Sequence, residues 1–168
     1  IQRSRGLGDV YKRQILHCVG SFAVRPPHAM NKEAFEAVIS TNLTSAFLTL
    51  SIAGKAMLSQ GHGRMVFMSS VAGSLGLVNH EAISAAKGGI ESMVRSAAAT
   101  YANRGLRINA VAPGLTDTKL ASPIMSNETA SQAASQKIPV KRVGRKEEVA
   151  NVIKLSLIHI SEPTRPLD

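Results

Sequence analysis

The segment 64–87, RMVFMSSVAGSLGLVNHEAISAAK, decides the fold of this chain. It begins with a short apolar run at 65–68, whose length and residue types predict a buried strand. Two serines, a glycine-bearing loop and a helical pattern that carries Lys87 follow this run. Because open α/β sheets bind their ligands beyond the carboxyl ends of their strands, Ser70 and Lys87 are predicted to meet at one site.

Similar units lie on both sides of this segment. Apolar runs at 15–19 and 108–112 predict two further strands, and each ends at a glycine-bearing turn. Apolar residues at three- and four-residue spacing predict amphipathic helices at 31–59 and 81–103. Strands that alternate with helices across short links require right-handed parallel crossovers. The predicted fold class is therefore α/β, with a partial, doubly wound parallel sheet.

The composition is that of one globular domain. The chain has 168 residues, of which 44% are hydrophobic, an ordinary share for a globular protein. Its uninterrupted apolar runs are far shorter than the ~20 residues that cross a bilayer, so no membrane partner is expected. The single cysteine, Cys18, excludes an internal disulfide and fits a reducing, cytoplasmic location. Its simplest interpretation is a small buried residue on a strand.

The basic charge of the chain raises the question of nucleic-acid binding. The formal net charge is +9, but the charges are scattered and only 4% of the residues are aromatic. A dense block of Lys and Arg and aromatic side chains that stack on bases are therefore both lacking in the sequence. We expect no nucleic-acid partner and no metal site. The same charge suits an anionic cofactor or an acyl carrier.

The two ends of the chain differ from its middle. Residues 1–14 show neither a sustained apolar period nor a convincing strand, and residues 156–168 contain two prolines that would stop a helix. Both segments resemble adapter or vector sequence translated at the edges of assembled transcripts, so we treat them as a non-native leader and tail. The predicted native domain is 15–155.

Taken together, these motifs resemble the short-chain dehydrogenase/reductase family. The active-site segment of that family has a serine, a tyrosine thirteen residues later and a lysine four residues further on. Ser70 and Lys87 are in register with this pattern, and Ile83 stands where the tyrosine belongs. The string RINAVAPGLTDT at 107–118 is similar, nearly letter for letter, to the family's Pro-Gly segment. The resemblance covers about 15–155 and implies the C-terminal part of a Rossmann-like domain.

The resemblance implies a role for each polar residue of the active-site pattern. Asn42, in a T-N-L pattern inside an apolar stripe, would kink its helix and hold a water in a proton relay. Ser70 would hydrogen-bond the substrate oxygen, and Lys87 would hold the ribose and lower the pKa of the neighbouring phenol. Ile83 offers no proton. His80, seven residues before Lys87, is a candidate replacement acid, with a capping or solvated side chain as the alternative.

The cofactor implied by the resemblance is NAD or NADP. The string HCVG at 17–20 occupies the place of the family's Asn-Asn-Ala-Gly signature, beside the adenosine side of the cofactor. The implied cofactor-binding residues are Val19, Gly20, Asn42, Lys87, Pro113, Gly114, Thr116 and Thr118. The family's TGxxxGxG loop, which cradles the pyrophosphate, is not found in this sequence. We therefore expect a fragment that binds dinucleotide poorly or not at all.

The implied activity is that of an NAD(P)-dependent oxidoreductase acting on a small carbonyl or alcohol substrate, similar to 3-oxoacyl-carrier-protein reductases and impaired by Ile83. Two alternatives stay open: a non-catalytic family member that binds cofactor or a partner enzyme, and an inactive, incomplete reading frame. Assembly in the family implies a homo-dimer or tetramer through the helices at 31–59 and 81–103. Residues 119–142 correspond to the family's variable, substrate-covering loop.

Overall fold

A three-stranded parallel sheet forms the centre of the computed structural model, which describes residues 14–158. The strands are β1 (Gln14–His17), β2 (Gly63–Met68) and β3 (Leu106–Val111), with β2 in the middle. Ile15 of β1 is level with Met65 of β2, which is level with Ile108 of β3. The prediction of an α/β fold with a parallel sheet is confirmed. The expectations for residues 1–13 and 159–168 lie outside the described residues.

Helices connect the strands and cover the sheet. Their bounds are α1 (Lys32–Ile39), a π-helical turn (Ser40–Thr44), α2 (Ser45–Gln60), α3 (Glu81–Tyr101), α4 (Ser122–Met125), α5 (Glu128–Lys137) and α6 (Lys146–Ile158). Short 3-10 turns are found at Pro27–Ala29, Val71–Gly73, Ala102–Arg104 and Lys119–Ala121. Asn31 begins α1 as predicted, since its side chain accepts a hydrogen bond from Ala34 N.

The main core lies between the sheet and two helices. The buried apolar residues that share it are Ala46, Leu50, Met57, Met65, Phe67, Ile90, Val94, Ala97, Leu106 and Ile108. They come from α2, β2, α3 and β3, at the helical and strand spacings that the sequence shows. Because α2 and α3 both bury an apolar stripe on the sheet, their polar residues near the strand ends are held in fixed positions.

Cys18 corrects one expectation from the sequence. β1 ends at His17, one residue earlier than a buried Cys18 would require, and Cys18 is exposed with a free thiol. The run at 15–19 is therefore a shorter strand than its apolar length predicts. The residues that follow His17 already belong to the loop at the carboxyl edge of the sheet, where ligands of such sheets bind.

The segment 119–142, expected to be a long loop, contains helices α4 and α5. Flanking it, β4 (Thr116–Asp117) pairs in parallel with β5 (Gly144–Arg145). This short ladder brings the two ends of the segment together. The segment is thus a helical insertion whose two ends lie beside the Pro-Gly turn after β3.

The described structure extends slightly beyond the predicted domain 15–155. Gln14 pairs with Arg64 in the sheet, and α6 continues to Ile158. Within α6, Ser156 is buried and its hydroxyl accepts a 3.0 Å hydrogen bond from the Asn109 side chain on β3. The non-native origin of the outer segments stays a prediction.

One helical stretch, Lys32–Gln60, is long and apolar enough to cross a membrane by length and composition alone, with a mean hydropathy of 1.4 over 18 residues. The core helix of a soluble protein passes the same test. The uninterrupted apolar runs within it stay far shorter than ~20 residues, because serines and threonines interrupt them. In the structure the helix packs Ala46, Leu50 and Met57 in the core.

Candidate functional site

The carboxyl ends of the three strands form one edge, and backbone hydrogen bonds tie the loops beyond them together. Ser69 N donates to Val111 O at 2.7 Å, and Val71 N donates to Pro113 O at 3.0 Å. These bonds hold the segment around Ser70 beside the Pro-Gly turn after β3. The segment around Ser70 and the 107–118 string therefore lie side by side at this edge.

Lys87 reaches this edge from α3. Its Nζ donates a 2.9 Å hydrogen bond to the carbonyl oxygen of Met68, the last residue of β2 and two residues before Ser70. The side chain is buried, and burial lowers the pKa of its ammonium below the ordinary value. Among residues 14–158 no carboxylate forms an ion pair with it. A cation without a carboxylate partner is thus placed where the strand ends.

Asn42 occupies the π-helical turn between α1 and α2 and is fully buried. Its Nδ2 donates to Val38 O and to Ser21 Oγ, both at 2.9 Å, and its Oδ1 accepts from Ser21 N at 3.2 Å. π-Turns are often found at functional sites because they re-aim a side chain. The side chain is therefore a hydrogen-bond hub that joins the helix to the loop after β1.

Gly20 lies where backbone passes close to both of these polar side chains. A Cβ built on Gly20 would come within 3.0 Å of Asn42 Oδ1 and 3.4 Å of Lys87 Nζ. The glycine therefore lets the loop after β1 approach the site closely. The same loop carries Ser21, a partner of Asn42 that sequence patterns did not single out. Val19, which precedes Gly20, is 54% exposed and contributes no buried contact.

Ser70 follows β2 and begins the 3-10 turn Val71–Gly73. Its Oγ accepts a 3.2 Å hydrogen bond from Ala72 N, so the hydroxyl keeps its proton for another acceptor. The residue is only partly buried. A hydroxyl with an available proton at the edge of the sheet is suited to bind a carbonyl or hydroxyl oxygen.

Ile83 is buried in a small apolar cluster on the inner face of α3, 5% exposed. The cluster consists of Val38, Ala72, Ala82, Ile83 and Ala86. Ile83 precedes Lys87 by four residues, which places both side chains on one face of the helix. The position next to Lys87 on that face therefore carries an aliphatic group that neither donates nor accepts a proton.

His80 precedes α3 and does not share the helical register of Lys87. It is the N-cap residue of α3, with φ −106° and ψ 12°, and its side chain makes no capping hydrogen bond. Its Nδ1 lies 2.7 Å from Val78 O, and its ring meets that of Phe22 edge-on at 6.3 Å between centroids. The ideal-helix alignment that made His80 a candidate acid is absent, because the helix begins one residue later, at Glu81.

The predicted nicotinamide-side residues form an open turn. Thr116 Oγ1 donates to Gly114 O at 3.1 Å, and Thr118 Oγ1 lies 3.4 Å from Thr116 O. A Cβ built on Gly114 would meet no described atom within 4 Å, so the space beside this glycine is free for a ligand group. Pro113, which precedes this glycine, holds the Ser70 segment beside the turn through its carbonyl, which accepts from Val71 N.

The polar side chains at this edge indicate what kind of ligand it can bind. Within residues 14–158 no group of three or more His, Cys, Asp and Glu side chains comes together that could hold a metal ion. Lys87, Ser70 and Asn42 are groups that bind hydroxyl and carbonyl oxygens. The donor set of this edge is therefore suited to an organic ligand.

His17, the last residue of β1, is a buried polar residue of the site region. Its Nδ1 lies 3.0 Å from Thr49 Oγ1, and its Nε2 lies 3.2 Å from Ser45 Oγ, both on α2. Both hydroxyls also bond backbone carbonyls one turn earlier, Thr49 Oγ1 to Ser45 O at 3.0 Å and Ser45 Oγ to Thr41 O at 2.5 Å. Burial, and secondarily the charge of Lys87, lowers the pKa of His17. The neutral ring therefore joins β1 to α2.

We predict that His17 makes the folded state less stable in mild acid. The pKa of His17 is lowered in the fold, whereas it is ~6.5 in an unfolded chain. As the pH falls below ~6.5, the unfolded chain binds a proton that the folded chain does not, so the free energy of unfolding falls by at most ~1.4 kcal/mol per pH unit. Urea unfolding between pH 5 and 8 measures this slope.

The control for this prediction is His17→Asn, which keeps a hydrogen-bonding side chain without a titrating ring. The difference in slope between the two chains isolates His17 from the other histidines. Equal slopes for both chains would show that the folded state accommodates the charged imidazole.

The sequence and the structure both resemble known oxidoreductases. A family model described as enoyl-(acyl carrier protein) reductase matches residues 13–157. The cis-4-hydroxycyclohexanecarboxylate dehydrogenase of Sinomonas cyclohexanicum is 41% identical over 128 residues, which are 76% of this chain and 51% of that protein. The 3-oxoacyl-[acyl-carrier-protein] reductase MabA of Mycobacterium bovis is 41% identical over 124 residues, 74% of this chain and 49% of MabA.

Among solved structures, ElxO with NADP bound has a TM-score of 0.81 and 26% sequence identity, covering 88% of this chain and 60% of that one. The chain thus spans about half the length of the curated relatives it matches. The matched part holds Asn42, Ser70, Lys87 and the Pro-Gly turn.

Proposed function

The chain belongs to the short-chain dehydrogenase/reductase family, which binds NAD(P). From this premise we propose that it forms part of an NAD(P)-dependent oxidoreductase that acts on a small carbonyl or alcohol substrate. The observation that supports the proposal best is the position of Lys87 Nζ on the carbonyl of Met68, two residues from Ser70. The open turn at Gly114 lies beside the same strand ends. A ribose and a carbonyl group would both find partners there.

Each polar side chain has a separate task in this proposal. The cofactor, when bound, would supply a hydride for the carbonyl carbon. Lys87 would donate hydrogen bonds to the ribose hydroxyls, and the Ser70 hydroxyl would donate a hydrogen bond to the substrate oxygen. Asn42 keeps the loop after β1 in place through Ser21, and it would also hold a water of the proton relay. Gly20, Pro113, Gly114, Thr116 and Thr118 line the cofactor.

Ile83 makes the proposed enzyme a slow one. Reduction of a carbonyl needs a proton on the oxygen as the hydride arrives, and Ile83 has none to give. Loss of a positioned general acid typically removes ~10²–10⁴-fold of the rate. A non-catalytic member that binds cofactor and substrate is therefore the second candidate function, and the buried aliphatic Ile83 is the observation that favours it.

The names of two relatives support the substrate class that we propose. One acts, by its name, on a cyclic hydroxy acid and the other on a 3-oxoacyl group of an acyl carrier protein, so both substrates combine a carbonyl or hydroxyl with a carboxylate or acyl group. We propose a substrate of this kind, in line with the net charge of +9. A cytoplasmic location is part of the proposal and agrees with the free thiol of Cys18.

Assembly into a homo-dimer or tetramer is proposed through α2 and α3. Large apolar residues of α2 remain exposed in the single chain, namely Phe47, Leu48 and Ile52. Contiguous apolar surface of this kind is typical of a protein–protein interface. A second copy would cover it.

The decisive experiment uses the chain both as printed and preceded by the amino-terminal half of the Sinomonas relative, which we call the extended chain. Titration with NADPH and NADH, followed by nicotinamide fluorescence, is expected to show saturable binding to the extended chain. Oxidation of NAD(P)H that depends on 4-oxocyclohexanecarboxylate or a 3-oxoacyl thioester is expected to be slow but measurable. Binding without any carbonyl-dependent oxidation would favour the non-catalytic member, and no binding would contradict the proposal.

A further inference from the structure

The carboxylate of Glu91 lies against the segment that carries Ser70. Glu91 is on α3, one turn after Lys87, and is partly buried. Its Oε1 accepts a 2.8 Å hydrogen bond from Ser69 Oγ, and its Oε2 accepts a 2.8 Å hydrogen bond from Ser74 Oγ. Because these two serines bracket Ser70, one side chain holds both ends of the segment on the helix.

The backbone of the same segment touches α3 directly. A Cβ built on Gly73 would lie 2.9 Å from Gly88 N, 2.9 Å from Glu91 Oε1 and 3.0 Å from Lys87 C. A Cβ built on Gly88 would lie 3.1 Å from Gly73 O. Since the contact leaves no room for a side chain on Gly73 and little on Gly88, the turn packs at a defined place on the helix, next to Lys87.

The hydroxyl of Ser70 is part of this turn. Its Oγ accepts from Ala72 N at 3.2 Å, and Gly73 N donates to Ser70 O at 2.8 Å. The packing of the turn against α3 therefore sets where the Ser70 hydroxyl lies relative to Lys87. A change at Glu91 would reach Ser70 through Ser69 and the turn.

Glu91 is not engaged in an ion pair within the described part of the chain. Arg95 follows four residues later on α3, a favourable spacing for a pair, yet its guanidinium donates to Ser92 Oγ at 2.8 Å. Both carboxylate oxygens instead accept from serine hydroxyls. Hydrogen bonds to an ionised acceptor are shorter and stronger than those between neutral groups, which suits the carboxylate to fix a loop.

We propose that Glu91 is a positioning residue, whose carboxylate holds the Ser69–Ser74 segment on α3 and thereby sets the Ser70 hydroxyl against Lys87. The catalytic meaning of this role rests on the function proposed above, whereas the placement of the turn does not. The two can therefore be tested separately.

The test of placement is hydrogen exchange of the chain as printed, read at the Ala72 amide that binds Ser70 Oγ. Glu91→Ala is expected to speed this exchange about tenfold relative to the parent chain, because a hydrogen bond to a charged group is lost at each end of the segment. Glu91→Gln, which keeps an acceptor oxygen for Ser69, is expected to restore part of the protection. Ser96→Ala, on the exposed side of α3, is the matched control and should change nothing.

Ser74→Ala provides a milder variant if Glu91→Ala fails to fold, since it removes only the exposed hydrogen bond. It should speed exchange at Ala72 by a smaller factor. Exchange at Ala72 equal to that of the Ser96→Ala chain would overturn the proposal. A rise of equal size at the amides of β2 would also overturn it, because it would mean general loosening of the fold.

A second readout links placement to the reaction. In the extended chain carrying Ile83→Tyr, Glu91→Ala is expected to lower kcat about tenfold while the Kd for NADPH stays unchanged, because Lys87 remains in place. Equal kcat values would contradict a positioning role. If no variant binds NADPH, the proposed function fails, and the exchange at Ala72 still decides whether Glu91 places the turn.

Discussion

Replacing Ile83 with Tyr is expected to raise the rate of NADPH-dependent carbonyl reduction by the extended chain ~10²–10⁴-fold, the usual contribution of a positioned general acid. Residue 83 lies one turn before Lys87 on the same face of α3, so a phenol there would share the surroundings of the ammonium. A neighbouring positive charge lowers the pKa of a phenol and makes its proton easier to transfer. The measurement is kcat with a 3-oxoacyl thioester or 4-oxocyclohexanecarboxylate.

The matched control is Ile83→Phe, which adds the same ring without the hydroxyl. Both variants enlarge a side chain that is 5% exposed and packed against Val38 and Ala72. Overpacking of this kind costs typically 1–3 kcal/mol of stability, so both should unfold at lower urea concentration than the parent chain. Only the tyrosine variant should gain activity. Equal rates for the two, with NADPH bound to both, would show that the acid is supplied from elsewhere.

The strands, the parallel sheet and the main helices could be predicted from the sequence because their signals are local and periodic. The β2 run and the stripes of α2 and α3 repeat at strand and helix spacing, and short links allow only parallel crossovers. The helical insertion at 119–142 was not predictable as helices, because α5 has little apolar content to mark a buried face. Its two ends are joined by the ladder of β4 and β5, a contact between residues far apart in the sequence.

Some polar residues of the site could be predicted from the sequence, and others could not. Ser70, Lys87 and Asn42 could be found because they stand at fixed distances within recognisable strings. The partners Ser21, Ser69 and Glu91 could not, since serine and glutamate are common in loops and on helix surfaces. Their hydrogen bonds span up to 22 residues and depend on how α3 packs against the loops. The roles of the site residues stay predictions until the substitutions are made.

Lys87→Met is expected to weaken the binding of NADPH without lowering the stability of the fold. In the extended chain it should weaken the binding of NADPH about 10- to 100-fold, because hydrogen bonds from a charged donor to the ribose hydroxyls are lost. Fluorescence titration measures this change. Lys55→Met, which removes the same charge from an exposed position of α2, is the control and should leave the affinity unchanged.

The same substitution should leave the fold intact or make it more stable. Lys87 is a buried cation without a carboxylate partner in the described residues, and burial lowers its pKa, which means that the charged form is disfavoured in the fold. Between the lowered pKa and the ordinary value of 10.5, the unfolded chain binds the extra proton, so the stability of the parent chain rises with pH across that window. The methionine chain should lack this rise. A loss of several kcal/mol of stability at pH 7 in Lys87→Met would contradict this prediction. It would mean that the hydrogen bond to Met68 outweighs the cost of the buried charge. Lys87 would then have a structural role that does not depend on a cofactor.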